Sequence, residues 1–189
     1  MMAWLPTYDE AMELLKEYNR EPFHIAHAKT VSGVLRVFAR EMDPGREDYW
    51  AIVGLLHDLD FEQYPDRHCV AVREILAPRG IDPALLDAIV SHGWGMTGAD
   101  VEPKLLMEKA LYAVDELTGL IGAAVKMRPS GSAMDLEVSS LRKKFKSPSF
   151  AAGCSRETIA KGAEMLGWTL DELMEKTIWA MRELEREET

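Results

Sequence analysis

Two cysteines in 189 residues, Cys69 and Cys154, are too few for a disulfide framework and form no spaced metal motif, which points to a reducing cytoplasm. The chain has little positive charge to set against its acids. A formal net charge of −10 repels polyphosphate backbones over most of the surface and argues against general nucleic-acid binding. Long apolar runs are missing, so no membrane span is expected, and Met1 to Met12 carries Asp9 and Glu10 rather than a basic segment followed by an apolar one, so no signal peptide is expected. Strand-like alternation, internal repeats and low-complexity tracts are also absent. What remains is apolar periodicity at helical spacing, and the fold class it predicts is all-α.

With 47% hydrophobic and 29% charged residues, the chain can bury a core and reads as a single domain over 1–189. Thr7 and Glu10 fit a capping box opening a helix over Tyr8 to Tyr18. Val31, Val34, Leu35, Phe38 and Met42 mark a second helix over Phe23 to Met42, with His27 on the same face and His24 three residues before it. Asp43-Pro44-Gly45 is a turn. Trp50, Val53, Gly54 and Leu56 then build a helix that delivers His57 and Asp58 at its carboxyl end. Asp66 is expected to cap a helix through Leu76 with His68, Val72 and Ile75 inward, closed by Arg79-Gly80.

Asp82-Pro83 opens a helix ending at His92 and Gly93, and Gly93 to Gly98, with Trp94, reads as a loop. Pro103 opens a long helix to about Met127, with Leu111, Tyr112, Asp115 and Thr118 on one face. After the break at Arg128 to Ser132, Asp135 is expected to cap a short helix carrying Leu136 and Leu141. Arg142-Lys143-Lys144-Phe145-Lys146 follows, a dense basic run in an acidic protein. Ser155, and then Thr169 with Glu172, cap the last two helices, the final one over Leu170 to about Arg186.

Taken singly, each of these histidines reads as a hydrogen-bonded core or surface residue. Taken together, His27, His57, Asp58, His68, His92 and Asp115 are hard to explain that way. Buried carboxylates are costly unless paired or bound to a cation, and neutral imidazole is a common metal ligand, so one shared metal site accounts for the set. Mixed nitrogen and oxygen ligands suit iron, manganese, cobalt, nickel or zinc better than calcium.

The order His27, then His57-Asp58, then Asp115, on a helical scaffold, resembles the HD superfamily of metal-dependent phosphohydrolases. The resemblance covers about Phe23 to Gly122, leaving about Ala133 to Thr189 as a C-terminal helical extension of the bundle. It implies that His27, His57, Asp58 and Asp115 ligate a divalent metal, with His27 preferred to His24 through the family's His-x-x-x-Val pattern at His27 and Val31. His68 and His92 match the further histidines of two-metal members, where Asp58 bridges both ions. Those members often carry a His-His pair where this chain has Ser91-His92-Gly93.

The function implied is hydrolysis of a small phosphorylated metabolite or nucleotide by metal-activated water. Alternatives on the same fold are a regulatory module that binds metal and nucleotide without turnover, and a di-iron oxygenase. Asp60 and Glu62 are expected to orient the water or protonate the leaving group, unless they are solvated loop acids. Arg142, Lys143, Lys144 and Lys146 are expected to bind substrate phosphate, unless they form a solvated charge run. Lys126 and Arg128 are weaker candidates of that kind, and Phe145 and Trp94 are candidates to stack on a base. A homo-oligomer is compatible with the sequence.

Overall fold

A computed structural model describes residues 3–187. Among them the regular structure is α-helical: α1 Tyr8–Tyr18, α2 Pro22–Met42, α3 Glu47–Leu56, α4 Ala71–Leu76, α5 Pro83–Ser91, α6 Leu106–Lys126, α7 Val138–Phe145, α8 Arg156–Leu166 and α9 Leu170–Glu187. The described residues contain no sheet. One isolated parallel bridge, Trp4 with Ile81, is the sole β pairing among them, and no described helix is long and apolar enough to cross a membrane.

The chain divides into two compact units, with the boundary in sequence between Leu111 and Tyr112, within α6. The first unit holds α1 to α5. Its core is built on the contact of α2 with α3, which contribute Val31, Val34, Leu35 and Phe38, and Trp50, Val53, Leu55 and Leu56, all buried. Gly54 is what lets them come so close: a Cβ there would stand 2.9 Å from Ser32 Cα. The Ser32 hydroxyl donates to Ala51 O at 2.7 Å, so a buried polar group at the crossing is satisfied. Buried Asn19, at the end of α1, donates to Leu59 O at 3.0 Å and anchors the turn that follows His57-Asp58.

The second unit contains most of α6 and α7 to α9. Gly162 of α8 is required by packing, because a Cβ there would lie 2.4 Å from Ala113 Cα. Arg142 pairs with Asp171, joining α7 to α9.

Most predicted caps are realised. Thr7 and Glu10 form the capping box, Asp82 Oδ1 accepts from Ala84 N and Leu85 N, Ser155 accepts from Thr158 N, and Thr169 and Glu172 bond reciprocally. Two are not. Asp66 caps no α-helix: Pro65–Arg67 is a 3₁₀ turn, Cys69 reverses the chain at φ +66°, and α4 starts only at Ala71. Asp135 is drawn away by Arg128 Nε and the Ser130 hydroxyl, and α7 starts after Glu137 without a side-chain cap. The long helix also begins at Leu106 rather than Pro103, with Glu108 accepting from Lys104 N and Leu105 N.

Candidate metal centre

The end of α3 sets the first part of the site. His57 is fully buried at the C-cap, and its Nδ1 lies 2.7 Å from Gly54 O. A carbonyl oxygen only accepts, so Nδ1 carries a hydrogen and Nε2 is the nitrogen turned toward the carboxylate, able to bind a proton or a metal ion. That nitrogen is 3.3 Å from Asp58 Oδ2. His27, from the middle of the first half of α2, brings its Nε2 to 3.6 Å from the same oxygen. His24 turns elsewhere: its Nδ1 meets Glu62 Oε2 at 3.0 Å.

The other carboxylate oxygen faces a second pair of rings. Asp58 Oδ1 lies 3.2 Å from His68 Nε2 and 3.5 Å from His92 Nε2. His92, at the end of α5, repeats the α3 arrangement, with Nδ1 2.6 Å from Ile89 O, so its Nε2 is likewise the nitrogen turned toward the carboxylate. His68 has Nδ1 2.8 Å from Asp60 Oδ1. The two Nε2 atoms stand 3.1 Å apart. Two lone pairs and a carboxylate oxygen converging at this range repel one another unless a cation sits among them, either a proton or a metal ion.

The electrostatics carry the same demand. Burial alone would raise the Asp58 carboxyl, but His57, His68 and His92 hold it well below the usual carboxylate range. Burial would lower His68, yet its bonds to Asp58 and Asp60 outweigh that and push it up to about 11. Without a metal, a proton on His68 is the charge that reconciles the cluster.

Cys69 belongs to the same cluster. It is 1% exposed, and its Sγ is 3.6 Å from His92 Nε2. Burial would raise this thiol, but His92 and His68 bring it down to about 6. Its left-handed backbone costs a non-glycine residue on the order of 1 kcal/mol, and it turns the thiol inward beside His68.

No protein-family model, curated protein or solved structure matches the chain. The assignment of the site therefore rests on its own geometry. His27, His57 and Asp58 form one group of potential ligands, and His68, Cys69 and His92 form another.

Of the expected site residues, the first unit brings together His27, His57, Asp58, His68 and His92. Asp115 is half-buried on α6, one turn past Leu111 and so in the second unit. Asp60 and Glu62 are both engaged in hydrogen bonds. Asp60 is fully buried, with Oδ1 on His68 and Oδ2 accepting from Val72 N at 2.8 Å, at the start of α4. Glu62 accepts from Arg20 N, Glu21 N and His24, at the start of α2. The basic run lies on α7 and its C-cap, where Arg142 pairs with Asp171 and Lys144 Nζ stands 4.5 Å over the Phe150 ring.

Sequence reasoning missed Cys69, having looked for cysteines in spaced pairs. The signal available was its position directly after His68.

Proposed function

We propose that this protein is a metal-dependent phosphohydrolase of the HD type, acting on a small phosphorylated metabolite or nucleotide. The observation that carries the reading is the division of Asp58, whose Oδ2 faces His27 and His57 while Oδ1 faces His68 and His92. A carboxylate so placed suits a bridge between two ions. Asp115, the remaining ligand that the resemblance implies, lies on α6 in the second unit.

The residues fit divalent transition metals. Imidazole nitrogens held by carbonyl and carboxylate acceptors, with a carboxylate among them, are a donor set suited to iron, manganese, cobalt, nickel or zinc. Ions bound there lower the pKa of coordinated water and offset charge on phosphoryl oxygens. The protein's part is positional. Gly54 O and Ile89 O orient His57 and His92, both buried, and Asp60 orients His68. Phosphate binding by Lys143, Lys144 and Lys146 is a separate element of the proposal. It predicts that Lys143→Glu with Lys146→Glu raises KM more than it lowers kcat.

The test is elemental analysis together with a phosphatase screen over phosphomonoesters and nucleotides, on the wild type and on His57→Ala and Asp58→Ala. The wild type is expected to bind divalent metal and turn over at least one substrate, with a loss on the order of a thousandfold in either variant. Turnover that survives both substitutions would sink the proposal.

A further inference from the structure

The sulfur of Cys69 is the feature that the phosphohydrolase reading leaves unused. Around His92 Nε2 stand His68 Nε2 at 3.1 Å, Asp58 Oδ1 at 3.5 Å and Cys69 Sγ at 3.6 Å, and His68 Nε2 is 3.2 Å from Asp58 Oδ1. For a tetrahedral ion with bonds of about 2.0–2.2 Å to nitrogen or oxygen and about 2.3 Å to sulfur, ligand atoms stand about 3.4 Å apart, or about 3.6 Å where one is sulfur. These are four of the six edges of such a tetrahedron, each within about 0.3 Å of the expected length, and Cys69 also clusters with His68 and His92.

The chain also keeps room for this sulfur. A Cβ at Gly93 would fall 2.4 Å from Cys69 Sγ and 2.5 Å from Thr97 Oγ1, so a side chain at this position would have to push the thiol or the hydroxyl aside. Cys69 itself lies between two tethered elements: His68, held by Asp60 Oδ1, and α4, whose Val72 N is held by Asp60 Oδ2. One carboxylate thus places the loop that carries both His68 and Cys69.

We infer that Cys69 is a metal ligand, and that Cys69, His68, His92 and Asp58 form a four-ligand site selective for a zinc-class ion. This rests on the metal-centre reading and deepens it. Thiolate favours zinc over the harder manganese and magnesium ions, so the two ion positions differ in preference. A tetrahedral ion held by four protein atoms has no open position left. That site therefore pins the loop between Asp60 and α4, and any reacting water belongs with His27 and His57.

The test uses the full chain loaded with cobalt(II), followed by absorption spectroscopy. Thiolate ligation gives a sulfur-to-cobalt charge-transfer band in the near ultraviolet, which imidazole and carboxylate ligands do not give. The band is expected in the wild type and in Cys154→Ser, and its loss is expected in Cys69→Ser with the visible cobalt bands retained. Visible cobalt bands without the charge-transfer band in the wild type would overturn the Cys69 assignment and leave the metal centre standing. A band lost in Cys154→Ser and kept in Cys69→Ser would overturn it as well. No cobalt spectrum and no bound metal in the wild type would overturn both readings.

Discussion

Asp60 Oδ1 lies 2.8 Å from His68 Nδ1, and this bond turns the other nitrogen of His68 toward Asp58 and His92. Asp60→Asn keeps the shape but weakens the acceptor, and an amide placed with its NH₂ toward the ring would reverse the tautomer. Affinity for the ion nearest His68 is expected to fall roughly 10- to 100-fold, the usual cost of losing such a supporting acceptor. Competition against a chelating dye measures it, and an unchanged affinity would count against the role given to Asp60.

Gly54→Ala tests the closeness of α2 and α3. Alanine in a helix is favoured over glycine by about 1 kcal/mol. Here the added carbon would meet Ser32 Cα at 2.9 Å, and a backbone atom cannot rotate away. Overpacking of this kind costs about 1–3 kcal/mol, which exceeds the helical gain. The variant is expected to be less stable in urea unfolding and to bind metal more weakly, because His27 and His57 sit on the two helices being forced apart. A gain in stability would show that the helices slide without cost.

Much of the fold was legible because periodicity and capping are local. Thr7, Asp82, Ser155 and Thr169 cap as their sequences predict, since each needs only the next few backbone NH groups. Asp66 and Asp135 show the limit. A carboxylate caps only if nothing nearby offers more: Asp135 meets Arg128, while the start of α4 is served by Asp60 from twelve residues before Val72. In the centre, His27, His57-Asp58, His68 and His92 were visible as polar residues on apolar faces. Cys69 was not, because its place depends on a left-handed backbone and on Gly93 across a loop, neither of which has a local pattern.

The Cys154 thiol should react slowly. Burial, followed by the charges of Glu116 and Asp115 against that of Arg156, pushes it up to about 11. At pH 8 only roughly one part in a thousand is then thiolate, the reactive form. Alkylation by iodoacetamide, followed by peptide mass mapping, is expected to speed up about tenfold per pH unit from 8 to 10. The sign for folding is opposite. The unfolded thiol ionises first, so stability is expected to decline between its ordinary value of 9 and about 11. Fast modification at pH 8 would mean the thiol is not held in its neutral form.

Arg156, at the start of α8, organises the segment before it. Its Nε donates to Phe145 O at 3.2 Å, Nη1 to Ala151 O at 2.6 Å and Cys154 O at 2.7 Å, and Nη2 to Ser147 O at 3.2 Å and to Phe150 O. All five donors of the guanidinium are used on backbone carbonyls, and Ala151 is held at φ +43° among them. Lysine carries the charge but not the planar fork, so Arg156→Lys is expected to restore little of what Arg156→Ala loses. With partly buried carbonyls left unsatisfied, the alanine variant should lose about 2–3 kcal/mol. Hydrogen exchange at the amides of Phe150 and Cys154, which bond within this segment, should rise well before global unfolding. Protection unchanged at both amides would show that the segment holds its shape without the arginine.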